Sequence, residues 1–311
     1  MRALVVSNML PDSAHPERGS FVRDQVAALR ALDGLDVELH EFPPGARSLA
    51  RAPLQLRRRF RSRFDVVHAH FGLSAWPALS VPAHVRGLTV HGTDLRHPRT
   101  RLLTRAALPS IDVLGVVSES LRGELPGRAA RRRAQVLPCG VDLERFRPLA
   151  RAQARAELGL ERHGSYLLFA ADPARPEKRH DLASALAASL DVELLTLGGV
   201  DPARVPLLVN AADAVLVPSD REGFGLAVIE ALACDVPVLA TPVGIHEQAL
   251  EGLPGTLCAP FELTRWRAAL EPLLQAGDPR VAGRPRAERF SATRMAELLA
   301  AAWRTARGRS G

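Results

Sequence analysis

The chain has 311 residues, 47% hydrophobic and 24% charged, and a formal net charge of +7, with a sequence isoelectric point near 10.6. That length suits two globular domains. No apolar run approaches the ~18 residues of a membrane span, and the Ala3–Val6 stretch is too short for a signal peptide, which predicts a cytoplasmic protein.

Cys139, Cys234 and Cys258 are too scattered for a disulfide framework or a zinc site. The basicity is carried by 40 arginines against one lysine, Lys178. It reads as a coding bias rather than a nucleic-acid face, because no recognition motif accompanies it and aromatics are only 5% of the chain. A chain that uses Arg everywhere else keeps Lys where a compact point charge fits and a planar fork does not.

Apolar runs at Ala3–Val6, Val37–Leu39, Val66–His68, Leu88–His91, Val113–Ser118 and Gln135–Leu137 alternate with stretches of helical period. In one such stretch Val22, Val26, Leu29 and Leu32 share a face. Residues 47–64 interleave Arg51, Arg57, Arg58, Arg59, Arg61 and Arg63 with Leu54, Leu56, Phe60 and Phe64. This is either a solvated basic face or one that rests peripherally on anionic membrane. A Gly/Pro-bounded segment from Leu137 to Pro148 precedes a second series of strands at Tyr166–Ala170, Val192–Leu197, Ala214–Pro218 and Val236–Ala240, with helical patterns at Asp181–Ser189 and Ala227–Ala233. The expected class is α/β: two Rossmann-like doubly wound domains, residues 1–145 and 146–290, facing each other across a cleft, with a helix over 291–311.

The strongest chemical signal is the run from Ser219 to Leu232, where a strand, a glycine turn and a helix start follow in order. Such a start leaves backbone N–H groups free for a polar or anionic ligand. Glu222 and Glu230 are eight positions apart; both in one helix, they would stand ~12 Å apart along its axis. That exceeds the about 5–9.5 Å of hydrolase carboxylate pairs, so separate contacts on an extended ligand fit better. No G-x-x-x-x-G-K-[ST] loop occurs, Lys178 follows Glu177, and the Gly223/Gly225 turn lacks a third glycine at 228. Kinase chemistry and a dinucleotide fingerprint are therefore disfavoured.

The Glu222–Glu230 segment resembles the E-x7-E motif of retaining family 4 glycosyltransferases with the GT-B fold. The similarity extends to Gly19-Ser20-Phe21-Val22, Val66-Val67-His68-Ala69-His70, Thr89-Val90-His91-Gly92-Thr93-Asp94 and Pro138-Cys139-Gly140-Val141-Asp142. It implies transfer of a sugar from a nucleotide diphosphate donor to a hydroxyl acceptor, with retention. By that resemblance Glu222 contacts sugar hydroxyls, Glu230 the ribose, and the backbone of Gly223, Phe224, Gly225 and Leu226 the sugar and phosphates.

Lys178 falls at the family's phosphate lysine. The usual arginine six positions earlier falls on Asp172, so Arg175 is the candidate second cation. Gly19 would approach the diphosphate, His91 would position the donor, and His70 and Asp94 are candidate acceptor or cleft residues; only one of His68 and His70 is expected to reach the cleft. The 291–311 helix would cross back to the first domain. No cofactor and no metal are expected, since two aspartates with one residue between them occur nowhere. The alternatives are a nucleotide-sugar epimerase or hydrolase, or a degenerate non-catalytic nucleotide-sugar-binding protein. Asp172 and the loop Val243-Gly244-Ile245-His246-Glu247, one residue shorter than the family's Val-Gly-Gly form, keep the second open.

Overall fold

The computed structural model of the chain describes residues 1–309. It contains two compact units: residues 1–140 together with the stretch from Ala292 onward, and residues 141–291.

The first unit is built on six strands, β1 (Arg2–Ser7), β2 (Asp36–Glu41), β3 (Phe64–His70), β4 (Ala83–Val90), β5 (Val113–Val116) and β6 (Gln135–Val136). All pair in parallel, in the order β2-β1-β3-β4-β5-β6. Ala3 through Val6 of β1 are wholly buried, as expected of a parallel strand covered on both faces. The Ser20–Arg30 helix buries Val22, Val26 and Leu29 on one stripe. Against the same core lie Ala296, Leu299, Ala300 and Trp303 of the Ala292–Arg309 helix.

The buried Trp303 indole N–H donates to His68 Nδ1 at 3.1 Å. That bond assigns the ring proton of His68 to Nε2, which faces Thr89 Oγ1 at 2.8 Å. The last helix is thus fastened to the centre of the first sheet by a polar contact as well as by packing.

The second unit holds β7 (Tyr166–Phe169), β8 (Glu193–Thr196), β9 (Ala214–Val217), β10 (Val238–Ala240) and β11 (Leu257–Cys258), again parallel, in the order β11-β10-β9-β7-β8. Within each sheet the order reverses once, at β1/β3 and at β7/β9. Ligands of doubly wound sheets bind outside the strand carboxyl ends at such reversals. Residues 141–145 join the second unit because Val141 N–H donates to Phe290 O at 2.8 Å and the Arg284 guanidinium holds the carbonyls of Leu143 and Phe146.

At the opposite end from that reversal, buried Asp213 accepts from Arg151 at 2.6 Å, from Arg155 at 3.1 Å and from the Tyr166 N–H at 2.8 Å. It ties the Arg151–Leu158 helix to the start of β7. Among the described residues no helix is long and apolar enough to cross a membrane.

Removing the carboxylate in Asp213→Ala leaves two buried guanidinium groups without it, and is expected to cost about 3–5 kcal/mol, read as a lowered thermal midpoint. A change under about 1 kcal/mol would contradict the role given to Asp213. Burial, and then the neighbouring His70, hold His68 well below its usual pKa. The unfolded chain therefore takes up this proton first on acidification, and stability is lost as pH falls below about 6.5, by up to about 1.4 kcal/mol per pH unit from this residue. Thermal midpoints between about pH 7.5 and 5 should fall less steeply for His68→Asn than for the wild type; identical slopes would count against a neutral buried His68.

Candidate functional site

The loops that leave β7 and β9 flank the sheet reversal of the second unit, and they bring Lys178 and Glu222 together. Lys178 Nζ lies 2.6 and 2.8 Å from the two Glu222 oxygens, and Ser219 Oγ donates to Oε1 at 2.8 Å. The two side chains are only 13% and 11% exposed. Burial pushes the Glu222 carboxyl up, but the charge and hydrogen bonds of Lys178 outweigh it and leave the group below its ordinary range. The loops are also joined by the Asp220 N–H to Glu177 O bond at 3.0 Å and by Arg179, whose guanidinium reaches Asp220 at 3.0 Å.

Gly225, at φ +108°, ends the turn and caps the Leu226–Ala233 helix. A Cβ there would sit 2.4 Å from His246 Nε2, so both backbone angle and space demand glycine. His246 Nδ1 is 2.8 Å from the Thr241 carbonyl. A carbonyl only accepts, so the proton resides on Nδ1 and Nε2 presents a lone pair. That atom is buried and has no hydrogen-bond partner among the described residues. Burial lowers the His246 pKa against the pull of Glu222, which keeps the ring neutral.

Several expectations change here. The helix begins at Leu226, so Glu222 belongs to the turn and the helical spacing to Glu230 does not apply; Glu230 is half-buried on the helix itself. Lys178, expected at the phosphates, is the enclosed partner of Glu222. Arg175, 51% exposed, folds its guanidinium onto Glu177 at 2.7 Å instead of standing beside Lys178. Asp172 accepts from the Ala174 N–H at 2.9 Å and shapes the loop. Gly223 lies in the turn, and Phe224 is buried, edge-on to Phe290.

In the first unit, β3 and β4 deliver His70 and His91 to one place, with His70 Nδ1 2.9 Å from His91 Nε2. Burial drives His70 down to about 3 and His91 well below its usual value. Asp94 accepts from the backbone N–H groups of Gly72 at 2.8 Å and His91 at 2.6 Å. Its burial nonetheless raises its pKa. Phe21 and Phe71 pack against the His91 ring with centroids 5.0 and 4.6 Å away.

His68 and His70, two apart on β3, share one face, with rings 5.4 Å apart. The expectation that they separate is corrected by the period of two along a strand. Gly19, at φ +70°, caps the Ser20–Arg30 helix, and a Cβ there would strike Met9 O at 2.5 Å.

Sequence reasoning missed His246 and Ser219 as members of the Glu222 cluster. The signal for His246 was the shortened 243–247 loop, noticed only as a departure from the family. Nothing in the local pattern marked Ser219.

Residues 5–145 match the family profile described as Glycosyltransferase Family 4, and residues 156–290 the one described as Glycosyl transferases group 1. The chain is 31% identical to a D-inositol 3-phosphate glycosyltransferase of Actinosynnema mirum, over 97% of this chain and 86% of that protein. One from Geodermatophilus obscurus is 30% identical, over 97% and 79%. Among solved structures, sucrose-phosphate synthase from Thermosynechococcus elongatus superposes with a TM-score of 0.74 at 19% identity, over 98% of this chain and 99% of that one. HepE from Anabaena in complex with UDP-glucose gives 0.70 at 17%, over 98% and 100%. The chain belongs to glycosyltransferase family 4: it is a glycosyltransferase with the GT-B fold.

Proposed function

We propose that the chain transfers a sugar from a nucleoside diphosphate donor to an acceptor hydroxyl, with retention and without a metal ion. The observation that carries this reading is the enclosed Lys178–Glu222 pair at the β7/β9 reversal. An ammonium and a carboxylate in contact match the two ends of such a donor: the ammonium suits the diphosphate, and the carboxylate accepts hydrogen bonds from sugar hydroxyls.

Donor binding then exchanges one partner set for another. Lys178 leaves Glu222 for the phosphates, Glu222 takes the sugar, Glu230 takes the ribose, and the backbone N–H groups from Gly223 to Leu226 face the sugar and phosphates. Arg175 supplies a second cation once it releases Glu177. In the first unit, Gly19 serves the diphosphate and His91 the reacting sugar, while His70 and Asp94 hold His91 and the turn after it.

In the reaction the bond from the anomeric carbon to the phosphate oxygen breaks, and the bond to the acceptor oxygen forms. The acceptor proton leaves on the departing diphosphate, whose growing charge Lys178 offsets. The UDP and UDP-glucose complexes of HepE make uridine donors the first to screen.

Lys178→Ala would strand the Glu222 charge as well as remove the phosphate ligand, so a loss of stability is expected alongside the loss of activity. The decisive variant is Lys178→Ala with Glu222→Gln, which removes the buried charge. Its thermal midpoint should recover toward wild type, while turnover with the best donor stays about 100-fold or more down. Recovery of turnover together with stability would sink the role of Lys178.

Peripheral membrane contact through the Ala46–Arg59 helix has its own test. It requires co-sedimentation with anionic vesicles at low salt that weakens as salt rises. No sedimentation at low salt ends that part of the proposal.

A further inference from the structure

At the carboxyl end of β1, beside the order reversal of the first sheet, lies a cavity of about 260 Å³. Phe42, Leu49, Leu73 and Leu103 give it apolar walls, and Asn8, His97, Arg99 and Thr100 give it polar groups. It sits next to the His91 cluster, because Leu73 directly follows Gly72, whose N–H donates to Asp94.

Two of these groups offer donors to a ligand, whereas the Thr100 hydroxyl already donates to the carbonyls of Thr93 at 3.3 Å and His97 at 3.0 Å. The Asn8 carboxamide oxygen already accepts from Ser74 Oγ at 3.2 Å, which leaves its NH2 group for a ligand. Arg99 is exposed and enters no ion pair among the described residues.

This combination selects a class of ligand. A polyol phosphate would bring a ring of hydroxyls against four hydrocarbon walls, where each hydroxyl left unpaired costs free energy. An apolar body loses nothing there and gains from leaving water. The volume exceeds the roughly 150 Å³ of a cavity that holds a benzene ring, yet is below the about 300–1,000 Å³ typical of sites that enclose a whole drug-sized ligand. The cavity thus suits one compact apolar part of a molecule whose anionic part stays with Arg99.

We propose that this cavity receives the acceptor, and that the acceptor is an amphiphile: a short branched chain or an aromatic ring system bearing the hydroxyl that takes the sugar and a phosphate or carboxylate, with the apolar part among Phe42, Leu49, Leu73 and Leu103 and the anion at Arg99 and the Asn8 amide; geranyl phosphate is its unreactive binding analogue. The inference rests on the glycosyltransferase reading for the word acceptor, but its binding test needs no turnover.

Trp76 reports on the site. Its indole N–H donates to the carbonyl of Leu103 at 3.3 Å, and it is 39% exposed, whereas Trp266 and Trp303 are fully buried. Geranyl phosphate, geraniol, inositol 1-phosphate and inorganic phosphate are titrated into the full chain by tryptophan fluorescence, with Trp76→Phe as the signal control and calorimetry as a second readout.

Geranyl phosphate should bind at least about tenfold more tightly than inositol 1-phosphate or inorganic phosphate. Leu49→Gln with Leu103→Gln, both at positions not fully buried, should weaken it about tenfold, and Arg99→Gln should weaken geranyl phosphate while leaving geraniol unchanged. Equal affinity for geranyl and inorganic phosphate, tighter binding of inositol 1-phosphate, or unchanged affinity in the Leu49/Leu103 variant would overturn the proposal. So would binding seen only to phosphatidylglycerol vesicles and insensitive to these substitutions, which would make the face a lipid-surface contact. Geranyl phosphate bound as expected by a chain that turns over no nucleotide sugar would count against the proposed reaction and leave the cavity assignment standing.

Discussion

The second unit depends on one contact, the ion pair between Lys178 and Glu222. Either charge alone in so enclosed a place would carry a desolvation penalty of several kcal/mol. Paired, and with Ser219 on one carboxylate oxygen, they offset one another at the strand ends. On the proposed reading this pairing is exchanged for the opposite ends of the donor. It favours ligands that satisfy both charges over ligands that satisfy one. A bare diphosphate would take the ammonium and abandon the carboxylate, whereas a nucleotide sugar supplies hydroxyls as well.

The surroundings of the pair follow from the same constraint. Glycine at 225 lets the turn close against His246, and the Thr241 carbonyl fixes that ring with its lone pair inward. The ring stays neutral because burial outweighs the attraction of Glu222. A protonated His246 would be a second cation competing with Lys178 for one carboxylate. In the first unit a comparable economy of charge operates, since His68, His70 and His91 are all held neutral by burial, and Asp94 is satisfied by backbone N–H groups instead of a cation.

Much of the fold was legible in the sequence. Buried parallel strands read as short apolar runs, and those in the first and second halves lie where β1 to β10 lie, because period and length separate strand from helix without tertiary information. The Gly72–Ala78 helix was not legible, being too brief to display a period and interrupted by Pro77; the Pro98–Ala107 helix buries only Thr104 and Ala107 and leaves Leu102 and Leu103 exposed, so it shows no buried apolar stripe. The two-residue β11 exists only through its pairing with β10.

For the site, the sequence named the residue types and the loops but not the partners. Lys178 and Glu222 are 44 positions apart, and only the β7/β9 adjacency in the sheet turns the lysine after β7 and the glutamate after β9 into one ion pair. Arg175 was chosen by its sign and place in the loop, but at a separation of two its nearest carboxylate is Glu177, a local contact that sequence spacing could have suggested. The His68/His70 grouping required only the strand period, and was misread for want of it.

Because Lys178 is the sole lysine of the chain, its ammonium can be observed without assignment, as the single side-chain NH3+ signal of a sample labelled with 15N-lysine. Titration with a nucleotide sugar that the chain turns over should move that signal to a phosphate-bound position in step with saturation, and the same titration on Glu222→Gln should begin from a different free-state shift. A signal that stays at its ligand-free position while the donor binds would mean that the ammonium never leaves its carboxylate, and that sugar transfer is organised elsewhere in the molecule.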